Sequence, residues 1–307
     1  MSSMSDRLDR WALASARVPF RVKVAVVWVA IFAFLAFFFW IAQFDTDWMF
    51  DRFEYITRGL LYTLYIAIGG IVLATVLAIL GALARISSNS IAYGISGFYV
   101  SFFRGTPLIV QMFLIYLALP QVAGNLHDRF GDLFPQSFVT QLTLEAAVAG
   151  TIALGLNYGA YMTEIFRAGI QSVAGGQGEA ADALGMTYRQ KMRKVVLPQA
   201  FRVIIPPTGN EFIAMLKDTA LVSFLGTTVA NAEIFRRASL VGQAEVKGLE
   251  ALVLAAGLYW GLTIVFTFFQ RRLETRVSRG YIRTASVGSG DHDALPEQPH
   301  GGGGGIA

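Results

Sequence analysis

Glu211, Lys217 and Asp218 lie in a stretch, 203–226, that is otherwise mostly apolar. Glu211 and Asp218 are seven residues apart, so a helix puts both carboxylates on one face. Asn210 and Lys217 share the neighbouring face by the same spacing. Charges at membrane depth are costly and are retained for a reason. Two carboxylates, an ammonium and an amide on adjoining faces suit a solute that carries both a carboxylate and an ammonium. The other reading is that Lys217 and Asp218 pair with neighbouring helices and only hold a bundle together. Asn157 and Tyr158 sit deep in a second apolar stretch, where they either line the same path or hydrogen-bond between helices. Glu164 falls nearer the end of that stretch, where packing or docking suits it better than solute contact.

Other chemistries are poorly served. The chain has 0 Cys, and its three histidines, His127, His292 and His300, are far apart, so no metal site is expected. No nucleophile motif with its base is present. Gly175-Gly176-Gln177-Gly178 lacks the Lys and Ser/Thr of a phosphate loop. The chain therefore needs no cofactor of its own and is not expected to hydrolyse ATP.

The elements that must position these residues are membrane helices. Of 307 residues 54% are hydrophobic and only 15% charged, against about 25% in soluble domains. About 20 apolar residues cross a bilayer. Segments 24–44, 59–83, 144–166 and 249–269 meet that length. Segment 91–120 is broken by Arg104-Gly105-Thr106-Pro107, and 203–226 by its prolines and charges; both count as crossings, giving about six. Gly105 and Pro107 predict a kink that forms part of a gate, or else a corner at the membrane surface. Gly155 with Gly159, and Gly257 with Gly261, suit close helix approach, within the chain rather than across a dimer contact as the favoured of the two readings.

Basic clusters orient the spans. Arg7, Arg10, Arg17, Arg21 and Lys23 precede the first span, and Arg271, Arg272, Arg276, Arg279 and Arg283 follow the last. Lys and Arg mark the cytoplasmic side, so both termini are expected there; Arg236 and Arg237 are the exception. Segment 24–44 is too long for a cleaved leader and reads as an anchor behind a tail, 1–23. The tail 284–307, rich in Gly, Ser and Pro, lacks the composition to fold.

One basic island, 178–200, interrupts the apolar text: GEAADALGMTYRQKMRKVVLPQA. Glu179–Leu184 favours helix, Gly185 is a natural left-handed stop, and Thr187-Tyr188-Arg189-Gln190 fits a capping box. A second short helix is expected over 188–196, ended before Pro198. The island is either an amphipathic connector at the interface or a shaped element that fits a groove on a soluble partner.

Glu179-Ala180-Ala181, Gly185 and Leu197-Pro198 resemble the EAA loop of ABC importer permeases. Arg104-Gly105-Thr106-Pro107, Ala160-Tyr161 with Glu164 and Arg167, Gly176-Gln177, Pro206-Pro207 with Asn210, and Lys217-Asp218-Thr219 are similar to the polar amino-acid permeases that take up histidine, glutamine, glutamate, arginine and opines. The likeness covers roughly 53–272. It implies an all-α inner-membrane protein with a type I (MetI-like) core of five helices over 57–272, to which 24–44 is an addition. It also implies a second permease subunit, homo- or heterodimeric, and an extracytoplasmic amino-acid-binding protein. A pair of ATPase subunits would bind ATP-Mg and dock on a coupling loop, 176–200. Nucleic acid is not among the expected partners. Ala220 departs from the serine common in relatives, and the outer loop 121–141 is long. An ion-coupled carrier would account for the intramembrane charges but not for the island. A membrane enzyme or a pure scaffold fits less well.

Overall fold

The computed structural model describes residues 19–277, so the outermost basic residues and the tail 284–307 lie outside it. The described chain is a helical bundle: α1 Phe20–Ala42, α2 Thr46–Thr57, α3 Leu60–Ile86, α4 Ser90–Gly105, α5 Leu108–Phe113, α6 Leu119–Phe130, α7 Gln136–Leu142, α8 Ala146–Ala174, α9 Gly176–Ala183, α10 Tyr188–Lys191, α11 Leu197–Asp218, α12 Ile234–Ala244 and α13 Gly248–Val277. By length and apolarity α1, the run Thr46–Ile86 that holds α2 and α3, the run Leu108–Leu133 and α13 qualify as membrane spans among the described residues, and the pair α7–α8, bent by 69°, makes a fifth if it is counted as one span. Helix α11 falls short of that apolarity because of its charges, yet packs against α8, α13 and α3 inside the bundle.

Small residues let the core helices approach. Helices α3 and α8 form the main contact, and Ala67, Ala74, Ala78, Ala149, Ala153 and Ala160 are fully buried. A Cβ at Gly155 would lie 2.5 Å from Leu73 of α3, and one at Gly159 would lie 2.6 Å from the Tyr99 hydroxyl of α4. That glycine pair packs within the chain, as expected. The pair Gly257 and Gly261 does not: nothing lies within 4 Å of a Cβ at either position, and both face outward on α13. Helix α1 stands apart, with no buried residue.

The expected span 91–120 is two helices. Helix α4 stops at Gly105, Thr106 and Pro107 are extended, and α5 begins at Leu108. Proline explains the stop, since it pushes the residue before it out of helical geometry. Helix α5 runs into α6 through a π-helical turn, Leu114–Ala118.

Proline also gives a correction in the island. The helix expected to end before Pro198 continues. A π-helical turn, Met192–Val196, joins α10 directly to α11, and Leu197 keeps helical geometry. Pro198 has no N–H for the Lys194 carbonyl, and a wider turn immediately upstream absorbs that loss.

At the opposite end of the bundle α2, α12 and the start of α13 form a second small core around Ile56, Ile234, Ala238 and Ala251. Here the two exceptional basic residues are tied down. Arg237 is buried, donates to the Ala232 carbonyl and stacks on Tyr55 at 5.2 Å. Arg236 donates to the Thr227 carbonyl. Their side chains are committed to the fold rather than to marking a membrane face.

Candidate functional site

The break between α4 and α5 is built into the middle of the bundle. Pro107 cannot donate to the Phe103 carbonyl four residues back, which would leave a bare acceptor in a buried setting. Two side chains replace the missing donor. Gln111 Nε2 reaches the Phe103 carbonyl at 2.9 Å and also the Thr106 carbonyl at 3.0 Å and Thr106 Oγ1 at 2.8 Å. Asn157 Nδ2, from α8, donates to the same Phe103 carbonyl and to Gln111 Oε1, both at 3.0 Å. Asn157 is eleven residues into α8, roughly 16 Å along its axis, so this break is at mid-span rather than at a surface corner. Arg104 projects from the end of α4 and stacks on Tyr161 at 5.1 Å. Gly105 and Pro107 are exposed.

Tyr158, next to Asn157, faces α11. Its hydroxyl donates to Asp218 Oδ2 at 2.7 Å. Glu211 is half-buried, two turns before Asp218 on that face. Lys217 is exposed and makes no hydrogen bond or ion pair among the described residues. Asp218 thus has an interhelical partner, whereas Lys217 makes no such contact among the described residues. Asn210 is drawn elsewhere: it accepts at 2.8 Å from Gln270 of α13, which also donates to the Pro206 carbonyl at 3.3 Å. The fold thus assembles Arg104, Tyr158, Glu211 and Asp218 beside the break and places Asn210 at the α11–α13 seam. Glu164 is a packing residue, paired with Arg167 at 2.6 Å and with Arg85 at 3.5 Å. Sequence reasoning missed Gln111, although a lone glutamine four residues past a proline in an apolar run was the signal.

The island has the shape its sequence implies. Gly185 adopts φ +72°, and the Met186 amide reaches back to the Ala181 carbonyl at 3.1 Å. Thr187 and Gln190 form a full capping box. Lys191 binds Asp182 at 2.7 Å, tying α9 to α10. Ala181 is only 3% exposed and supports this corner from within. Glu179, Ala180, Gly185 and Pro198 are exposed and Leu197 is half-buried. Leu184 and Tyr188 stand out from the corner at 79% and 66% exposure.

With this geometry in place, comparison with known proteins is decisive about the family. Residues 70–279 match the family described as the inner membrane component of binding-protein-dependent transport systems. The probable amino-acid permease protein YxeN of Bacillus subtilis is 37% identical over 238 residues, covering 77% of this chain and 97% of its own. The arginine transport system permease protein ArtQ of the same organism is 36% identical over 226 residues, covering 74% and 94%. A solved structure described as an amino acid ABC transporter with histidines superimposes with TM-score 0.65 at 33% identity, over 76% of this chain and 98% of that one. The chain belongs to this family: it is a membrane-embedded permease subunit of an ABC importer. That membership sets aside the ion-coupled carrier, the membrane enzyme and the scaffold.

Proposed function

We propose that this subunit translocates polar amino acids across the cytoplasmic membrane by alternating access, driven by a separate pair of ATPase subunits. The observation that carries this reading is the composition of one helix. Helix α11 bears Glu211, Lys217 and Asp218 at membrane depth and is joined without interruption to the basic island. The solute end offers carboxylates for an ammonium and Lys217 or Arg104 for a carboxylate. Arg104, Gly105, Thr106 and Pro107 act as a gate, because a helix already broken at mid-span can bend there without breaking an intrahelical hydrogen bond. Asn157 holds that gate, and Asn210 anchors α11 to α13.

At the island end, Glu179, Ala180, Gly185 and the protruding Leu184 and Tyr188 fit a groove on the ATPase, with Ala181, Leu197 and Pro198 shaping the element behind them. That end faces the cytoplasm, as do both termini. A second permease subunit and an extracytoplasmic binding protein complete the importer. The names of the relatives, which speak of amino acids in general and of arginine, support the solute class.

Lys217→Met and Asp218→Asn test the solute path. Both variants are expected to assemble with the ATPase and lose transport of the loaded substrate about tenfold or more, the loss of at least one charge-assisted bond. Failure of both to assemble would assign these residues to the bundle instead.

A further inference from the structure

A groove between α11 and α13 is used by neither the solute path nor the island. It measures about 550 Å³. Gly209, Phe212 and Ile213 of α11 and Phe266, Phe269 and Leu273 of α13 form its apolar lining. Gln270 closes one side, donating to Asn210 and to the Pro206 carbonyl. This pairing puts the last turns of α13 beside the middle of α11, so that α13 beyond Gln270 runs along the island-side half of that helix.

Arg272 and Arg276 form the polar rim. The Arg272 guanidinium lies over the Phe268 ring at 5.0 Å, which holds it at the groove. Neither arginine pairs with a carboxylate among the described residues; the ion pairs near this end are those of Glu164 and of Asp182. Glu274, the acid between the two arginines, accepts from Gln270 instead. Arg202, seven residues before Gly209, adds a third exposed cation on the groove-facing side of α11.

The dimensions fit one ligand class. From Phe266 to Arg276 is ten residues, about 15 Å of helix, which is roughly half the hydrocarbon thickness of a bilayer. An apolar trough one leaflet deep, ending in two unpaired guanidiniums at headgroup level, has the layout of a lipid with an anionic head. Guanidiniums bind phosphate through paired N–H donors, and basic pockets between membrane helices select anionic headgroups. A protein surface seated here would bury those guanidiniums and would have to bring its own acids.

We propose that the groove binds an anionic phospholipid of the leaflet on the island side. Arg272 and Arg276 hold the phosphate, and one acyl chain lies along Phe212, Phe266 and Phe269. The site is separate from the solute path, and it stands or falls independently of what is transported.

The test uses the full chain purified with its partner subunits. Native mass spectrometry compares added phosphatidylglycerol, cardiolipin, phosphatidylcholine and inorganic phosphate. Retention of the two anionic lipids well above phosphatidylcholine, with no retention of phosphate alone, is the expected result. Arg272→Gln with Arg276→Gln should lower that retention roughly thirtyfold, while Arg193→Gln with Lys194→Gln, on the island, should leave it unchanged. A photo-crosslinking amino acid at Phe269 should gain the mass of a phospholipid in native membranes. Equal retention of phosphatidylcholine, indifference to the arginine pair, or a crosslink to protein at Phe269 would each overturn the proposal.

Discussion

Pro107 has no amide hydrogen, so the Phe103 carbonyl depends on Gln111 and Asn157. Gln111→Leu removes one of these donors and also frees the Thr106 carbonyl. Leaving a buried acceptor short costs about 1–3 kcal/mol. The purified protein should unfold at lower temperature. An unchanged melting midpoint would show that water already serves these carbonyls. A second residue-scale prediction concerns Glu233, fully buried at the start of α12, between the spans. Burial pushes its carboxyl up to about 7, against the opposing pull of the Tyr259 hydroxyl, the Phe235 and Arg236 amides and the Arg236 charge. The Tyr259 hydroxyl itself lies beside Thr63 and Thr219. A carboxyl raised in the folded state holds its proton more tightly there than in the unfolded chain. Its contribution is therefore complete below about pH 4.5, fades as pH rises to about 7, and is gone above that. The full effect is up to about 3 kcal/mol. Melting midpoints measured from pH 5 to 8 should fall for the natural protein and fall less for Glu233→Gln, which keeps an acceptor but carries no proton equilibrium. Identical slopes would remove Glu233 as the source.

At the scale of elements, the island is the piece whose shape was most legible beforehand. Gly185, Thr187 and Gln190 are local signals, each satisfied within a few residues, and local signals survive folding unchanged. The reach of α11 was not legible, because it depends on how a helix accommodates Pro198, and a π-helical turn is one of several local solutions. The division at 106–107 was half legible: the proline announced a break, but only the partners of Phe103 show it to be at mid-span. Gly257 and Gly261 mislead for the opposite reason, since a small-residue pair states what a helix permits and not what approaches it. The structure also sharpens the test of the island. Gly185→Val strains a left-handed turn by about 1 kcal/mol or more, with no side-chain clash, since nothing lies within 4 Å of its Cβ position. Ala180→Arg adds bulk and charge on an exposed face, whereas Ala181 is enclosed and its replacement by arginine would break the corner itself. Both Gly185→Val and Ala180→Arg should reach the membrane, and both should lose ATPase subunits on purification or lose stimulation of hydrolysis by the binding protein. Normal uptake by Ala180→Arg at normal expression would return the island to the status of an interfacial connector.

For the whole molecule, the basic residues of the island and Arg271, Arg272 and Arg276 in the last turns of α13 collect at one end, while Arg236 and Arg237 at the other are consumed by hydrogen bonds and stacking. The orientation this supports is checked by single cysteines, which can be placed cleanly in a chain with 0 Cys. Cysteines at Ser3 and Ser286 should resist an impermeant thiol reagent in intact cells and react once the membrane is opened; labelling from outside at either would reverse the topology. The isolation of α1 bears on a different stage of the protein's life. A charge in α11 has neighbours to answer it, as Asp218 has Tyr158. A charge in α1 would have none among the described residues of this chain, because no residue of that helix is buried. A substitution such as Phe32→Arg, at the centre of the helix, carries the full insertion penalty of about 3 kcal/mol for arginine in a lone membrane helix. Such a change acts while the chain is leaving the ribosome and partitioning between translocon and lipid. Its signature is a mixture of insertion topologies in newly made protein, whereas molecules that insert correctly melt at the same temperature as before.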